Sequence, residues 1–287
     1  MKFVSFRQHG DAKLGVLTAE GVIDLHAAQP QVPTDLGDAL WQGVDMLAAA
    51  HAAVASKAPR LPLTKIEYAA LVARPGKIIC LGLNYFDHAK EGGRDKPDYP
   101  WFFFRGATSL IAHGDAGMRP RVSERFDYEA ELAVVIGKKA RHLSKENALD
   151  CVFGYSCFND MSVRDYQKKT PQWTIGKNFD GTGAFGPFLL TADELSAGAT
   201  DLRIQCRLNG KVMQDANTSD MIFSVVETLV LLTECMTLEP GDVIIMGTPA
   251  GVGQARTPPV WMKHGDTVEV EIDKLGVLSN PIRDEAP

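Results

Sequence analysis

The chain has 287 residues, 45% hydrophobic and 23% charged, with a formal net charge of −6. That composition is ordinary for a globular protein able to bury a substantial core, and the acidic balance argues against nucleic acid as the main partner. No apolar run approaches the roughly 18 residues of a membrane span, and the first 15 residues lack the apolar stretch of a secretion signal.

In chain order, residues 1–30 read as short strands separated by turns (KFVSF, KLGVLT, VIDL). A helix is predicted after Thr34, where Leu36, Leu40, Val44 and Leu47 give an apolar stripe of helical period. Residues 56–63 carry two prolines and read as a linker, so a small N-terminal α+β domain is expected over 1–73 and a larger domain over 74–287. From Lys77 onward strand signals dominate, among them KIICLGLNY, AELAVVIGK, GPFLLT, LRIQCRLNG and DTVEVEID. Asn209-Gly210 predicts a hairpin turn. Helices are expected near 145–151, 163–169 and 224–234. With no βαβ alternation, the fold class is mainly β with peripheral helices, an α+β protein. The five cysteines are scattered without a C-x-x-C pair. That pattern suits reduced thiols in the cytoplasm better than disulfides or a zinc site.

The chemistry concentrates in RFDYEAELAVVIG, residues 125–137. On a strand, Asp127, Glu129 and Glu131 share one face. A solvated edge or pairing with an arginine would accommodate them. However, the following LAVVI implies burial on both faces, and buried carboxylates need a compensating cation. Oxygen-only ligation favours Mg²⁺, Mn²⁺ or Ca²⁺ over zinc. Asp160 in FNDMSVRD is the best third ligand, yet it reads equally as a helix N-cap; the pattern does not choose. Asp165 reads as a surface or salt-bridging group.

GLNYFDHAKE, DYEAELAVVIG, FNDMSVRD, WTIGKNFD and GDVIIMGTPAGVG together resemble the fumarylacetoacetate hydrolase family, in order and spacing, over residues 76–283. The resemblance implies a β-roll catalytic domain, usually dimeric, with Mg²⁺ or Mn²⁺ held by Glu129, Glu131 and Asp160. It implies a mobile lid on which His88 and Glu91 activate water; three residues apart, the pair meets on one helical turn. Lys177 matches the lysine that polarises the bound keto acid. Gln167 and Thr248 match substrate-orienting groups. Where many members read Phe-Leu-Lys-Pro-Pro, this chain reads Phe103-Phe104-Arg105-Gly106-Ala107, and Arg105 is grouped with the substrate-binding residues. Residues 101–104, WFFF, serve either as core or as an apolar pocket wall.

The expected activity is metal-dependent hydrolysis of a C–C bond in a 2,4-diketo acid of the acylpyruvate type, by a homodimer. Decarboxylation of an oxaloacetate-type acid and keto–enol isomerisation use the same site. A keto-acid-binding homologue without turnover is the alternative outside enzymology.

Overall fold

The computed structural model describes residues 1–93 and 95–286. An eleven-stranded mixed sheet forms its backbone. Its strands lie in the order Gly21–Asp24, Asp11–Thr18, Lys2–Gln8, Gly183–Thr191, Val152–Asp160, Ala130–Ile136, Val243–Ile245, Ile78–Gly82 and Trp101–Arg105, with two short strands off this path. A five-stranded sheet packs beside it, built from Lys211–Asn217, Arg203–Leu208, Thr267–Ile272, Gly276–Asp284 and Gly117–Arg119.

The strand Ala130–Ile136 is buried along its whole length. Leu132, Val134 and Ile136 enter the core shared with the second sheet, alongside Cys206 and Val270. Ala133 and Val135 face the opposite core, with Leu36, Ala50 and other side chains of the N-terminal helices. Past Glu131 such a two-faced strand has no polar side to offer, which explains the unbroken apolar run of residues 132–136.

The N-terminal strands join this sheet. Lys2 and Phe3 pair antiparallel with Leu190 and Leu189, so residues on either side of the expected 73/74 boundary share one hydrogen-bonded sheet. The single helix expected after Thr34 is two helices, Leu36–Trp41 and Met46–Ala55. The first ends at Gln42, followed by Gly43 at positive φ, and Asp45 caps the second, its Oδ1 accepting from Ala48 N at 2.9 Å. The Asn209-Gly210 hairpin forms as expected, both residues at positive φ between Arg203–Leu208 and Lys211–Asn217. The last long helix, Val225–Cys235, begins at a capping box of Ser224 and Glu227.

A buried carboxylate cluster and its cavity

Glu129 and Glu131 sit where the central strand begins, on the same face as Ala133 and Val135. Asp160 ends the neighbouring strand Val152–Asp160, whose register sets Asn159 against Ala130. The three carboxylates each offer an oxygen within 4.8 Å of the others, and all are buried. Asp160 caps no helix: the next helix, Arg164–Gln167, starts after Val163.

Three cations surround the cluster. Lys177 Nζ donates to Glu129 Oε2 at 2.6 Å and to Asp160 Oδ2 at 2.5 Å. Arg164 Nη1 lies 2.6 Å from Glu129 Oε1. Arg105 Nη1 lies 2.9 Å from Asp160 Oδ1, although no well-directed hydrogen bond reaches that oxygen. Glu131 makes no ion pair among the described residues; its Oε2 accepts only the Gly247 N–H, at 2.6 Å.

The electrostatic consequence differs between the two glutamates. Burial alone would raise the Glu129 carboxyl, but the charges of Arg164 and Lys177 outweigh it and hold the group well below the usual range. For Glu131, burial and then the charges of Asp160 and Glu129 push the carboxyl well above it. Burial opposes the Lys177 ammonium, yet Asp160 and Glu129 raise its pKa overall. Cys80, wholly buried in the same core, has its thiol pushed up by burial and by the charge of Asp160. An all-oxygen donor set with one under-compensated carboxylate and one poorly bonded oxygen fits a hard divalent cation.

A cavity of about 720 Å³ opens over Glu129, Glu131 and Lys177. His88 and Glu91, on the helix Phe86–Glu91, line it as well, with Gln167 and Thr248. The His88 Nδ1 and Glu91 Oε2 are 3.3 Å apart. Glu91 also accepts the Gly251 N–H at 3.0 Å. Gln167 Oε1 accepts from Arg164 Nη1 at 3.0 Å, and Thr248 Oγ1 accepts from Gln214 Nε2 at 2.8 Å. Trp101, Phe103 and Trp173 form an aromatic wall, with the two indoles 5.3 Å apart. The WFFF segment thus divides its roles, with Phe103 buried and Trp101 half-exposed on the wall.

Two residues sit elsewhere than expected. Arg105 does not line the cavity. Its guanidinium is wholly buried behind Asp160, donating to the Lys177 carbonyl and to Thr182 Oγ1. A guanidinium placed there steadies the carboxylate cluster and leaves substrate to other groups. Asp127, grouped by alternation with Glu129 and Glu131, lies outside the cluster. It accepts the N–H groups of Gly253 and Gln254, at 2.8 and 3.0 Å, and pairs with Arg164 Nε at 2.8 Å. Arg164 is the residue that sequence reasoning missed. Its position in the VRD of FNDMSVRD, four residues after Asp160, was the available signal.

The C-terminal profile of the fumarylacetoacetate (FAA) hydrolase family matches residues 77–283. The chain belongs to this family. The enzyme is 40% identical over 98% of its length to the human oxaloacetate tautomerase FAHD2A, mitochondrial, covering 91% of that protein. It superposes with a TM-score of 0.87 on a fumarylacetoacetate hydrolase from Exiguobacterium antarcticum, at 36% identity over 99% of this chain and all of that one. A maleylpyruvate hydrolase from Sphingobium sp. SYK-6, in complex with manganese(II) and pyruvate, gives 0.83 at 28% identity over the whole of both chains. No helix among the described residues is long and apolar enough to cross a membrane.

Proposed function

We propose that this protein is a divalent-metal-dependent enzyme that forms and quenches the enolate of a 2-oxo acid, and that its reaction is keto–enol tautomerisation of an oxaloacetate-type diacid. The observation that carries this reading is one cavity lined both by glutamates of a buried carboxylate cluster and by a His–Glu pair. Identity over nearly the whole chain to a protein named for oxaloacetate tautomerisation supports the choice of reaction.

Glu129, Glu131 and Asp160 would hold the cation. When bound, it supplies a Lewis acid for the 2-oxo acid's carboxylate and adjacent carbonyl oxygen. Lys177 offsets the negative charge that develops on the substrate. His88 keeps Nδ1 against Glu91, leaving Nε2 to take a proton from C3. The C3–H bond breaks, an O–H bond forms at C2, and no co-reactant is consumed. Gln167 and Thr248 orient the acid.

Hydrolysis of an acylpyruvate is the second reading, with His88 deprotonating water instead. The cavity volume favours it, because 720 Å³ falls in the range of about 300–1,000 Å³ that holds drug-sized ligands, more than a four-carbon diacid fills. We assign magnesium as the resident ion, with manganese or calcium as substitutes, and a homodimer in the cytoplasm. The donor set supports the first. Five free cysteines, four of them buried, support a reducing compartment.

The test is to strip the protein with chelator, reload it with Mg²⁺ or Mn²⁺, and offer enol-oxaloacetate and acetylpyruvate separately, identifying products by NMR. Accelerated, metal-dependent conversion of enol to keto oxaloacetate supports tautomerisation. Pyruvate with carbon dioxide redirects the reading to decarboxylation, and acetate with pyruvate redirects it to C–C hydrolysis. No turnover of either substrate by metal-loaded protein overturns it.

A further inference from the structure

The acidic segment 127–131 carries two residues that the proposed chemistry does not use, Asp127, which ends the short strand Phe126–Asp127, and Tyr128, just before the strand Ala130–Ile136. Tyr128 lies between Asp127 and Glu129, wholly buried, and points to the opposite face. Its hydroxyl donates to Gly251 O at 3.1 Å and accepts from Arg256 Nε at 3.2 Å. Arg256 Nη2 reaches Gly251 O as well, at 3.2 Å, and also the Met213 carbonyl. Two residues further along the same loop, Asp127 holds the N–H groups of Gly253 and Gln254.

Gly251 therefore has its carbonyl fixed from the acidic segment while its N–H is given to Glu91, the partner of His88. Only glycine serves at this position. Its φ is +101°, and a Cβ would sit 2.3 Å from the Met213 carbonyl oxygen. One residue, through the N–H of one peptide and the carbonyl of the next, thus joins the segment that bears Glu129 and Glu131 to the helix that bears His88.

We infer that Tyr128 is a positioning residue. Through Gly251 it sets Glu91, and hence His88, in position against the carboxylate cluster that lines the same cavity. The inference rests on the reading of His88 and Glu91 as the proton-transfer pair. Nothing in the chemistry requires Tyr128 to touch substrate, and it does not line the cavity.

The test compares Tyr128→Phe, Glu91→Ala and the double variant in the metal-loaded enzyme. It uses whichever 2-oxo acid the wild type turns over, and hydrogen–deuterium exchange is measured in parallel. Losing one buried hydrogen bond to the loop is expected to lower kcat about three- to ten-fold, with KM and cation affinity unchanged. Exchange should quicken in peptides covering 86–93 and 251–255 and stay unchanged in the central strands. In the Glu91→Ala background, which has no side-chain oxygen to receive the Gly251 N–H, Tyr128→Phe should have no further effect on kcat, since the two act through one contact.

Unchanged kcat and exchange in Tyr128→Phe overturn the inference, as do effects that multiply in the double variant. If Tyr128→Phe does not fold, Arg256→Lys tests the same carbonyl from the loop side. Should His88→Ala retain full activity, the proton-transfer reading fails. The exchange measurement still decides whether Tyr128 holds the lid helix.

Discussion

The Lys177 ammonium lies 2.5 Å from Asp160 Oδ2, both groups wholly buried beneath the cavity. A lysine so placed neutralises the same carboxylates that a divalent cation would bind, so lysine and ion compete for one charge cluster. Lys177→Ala removes a buried partner and leaves its carboxylates uncompensated, a loss of about 3–5 kcal/mol for such pairs. The chelator-treated variant should therefore melt well below the wild type. Added Mg²⁺ or Mn²⁺ should recover more of its Tm than the ion adds to the wild type. Equal metal-induced shifts in the two proteins would show that lysine and ion do not share the carboxylates.

Metal binding should release a proton from Glu131. In the metal-free fold this carboxyl is raised above its usual range, so the folded chain holds a proton that the unfolded chain has lost. Its contribution to stability is full below the usual glutamate pKa and fades as pH rises through the raised folded value. Glu129 runs the other way, contributing above the usual pKa and losing that contribution as pH falls through its depressed value. Cation affinity should accordingly rise with pH in the window above the usual carboxylate range. Titration calorimetry in two buffers of different ionisation enthalpy should reveal the proton, and Glu131→Gln should abolish it. Buffer-independent heats in the wild type would refute the assignment.

His88→Ala should lower kcat by about 10²–10⁴, the usual contribution of a general base, while cation affinity stays within a factor of two. Glu91→Gln should fall between that variant and the wild type. Steady-state kinetics alongside metal titration separates the two effects.

Gly82→Ala should act on substrate fit. A Cβ there would lie 1.9 Å from Trp173 Cζ3, so the indole must leave the aromatic wall. KM for substrates with a bulky acyl group should rise roughly ten-fold with kcat little changed, on the scale of one buried apolar contact. An unchanged KM would remove Trp173 from substrate recognition.

The extent to which these features were legible from sequence follows the range of the contacts involved. The hairpin at Asn209-Gly210 and the His88–Glu91 spacing are local, and both appear where the chain places them. Glu129 and Glu131 were readable together from strand alternation, whereas Asp160 read equally as a helix cap and joined them only through the family resemblance. Arg105 was misplaced because its partners, Asp160, Lys177 and Thr182, lie 55 to 77 positions away and no spacing rule connects them. Asp127 was grouped with its neighbours by alternation alone, whereas its partners Gly253 and Gln254 come from the far end of the chain. Likewise, the pairing of Phe3 with Leu189 joins segments whose compositions suggested separate units.

Cys80 gives the site a clock. Its thiol is sealed in the core with a raised pKa, so an alkylating reagent reaches a reactive thiolate only when the surrounding sheet parts. Cys235, exposed on the last long helix, reacts at once and supplies the zero of time. Read peptide by peptide, because Cys151, Cys157 and Cys206 are buried too, the interval between labelling of Cys235 and of Cys80 measures how often the sheet around Cys80 opens. Lengthening of that interval by a divalent cation would report occupancy without any substrate in the tube.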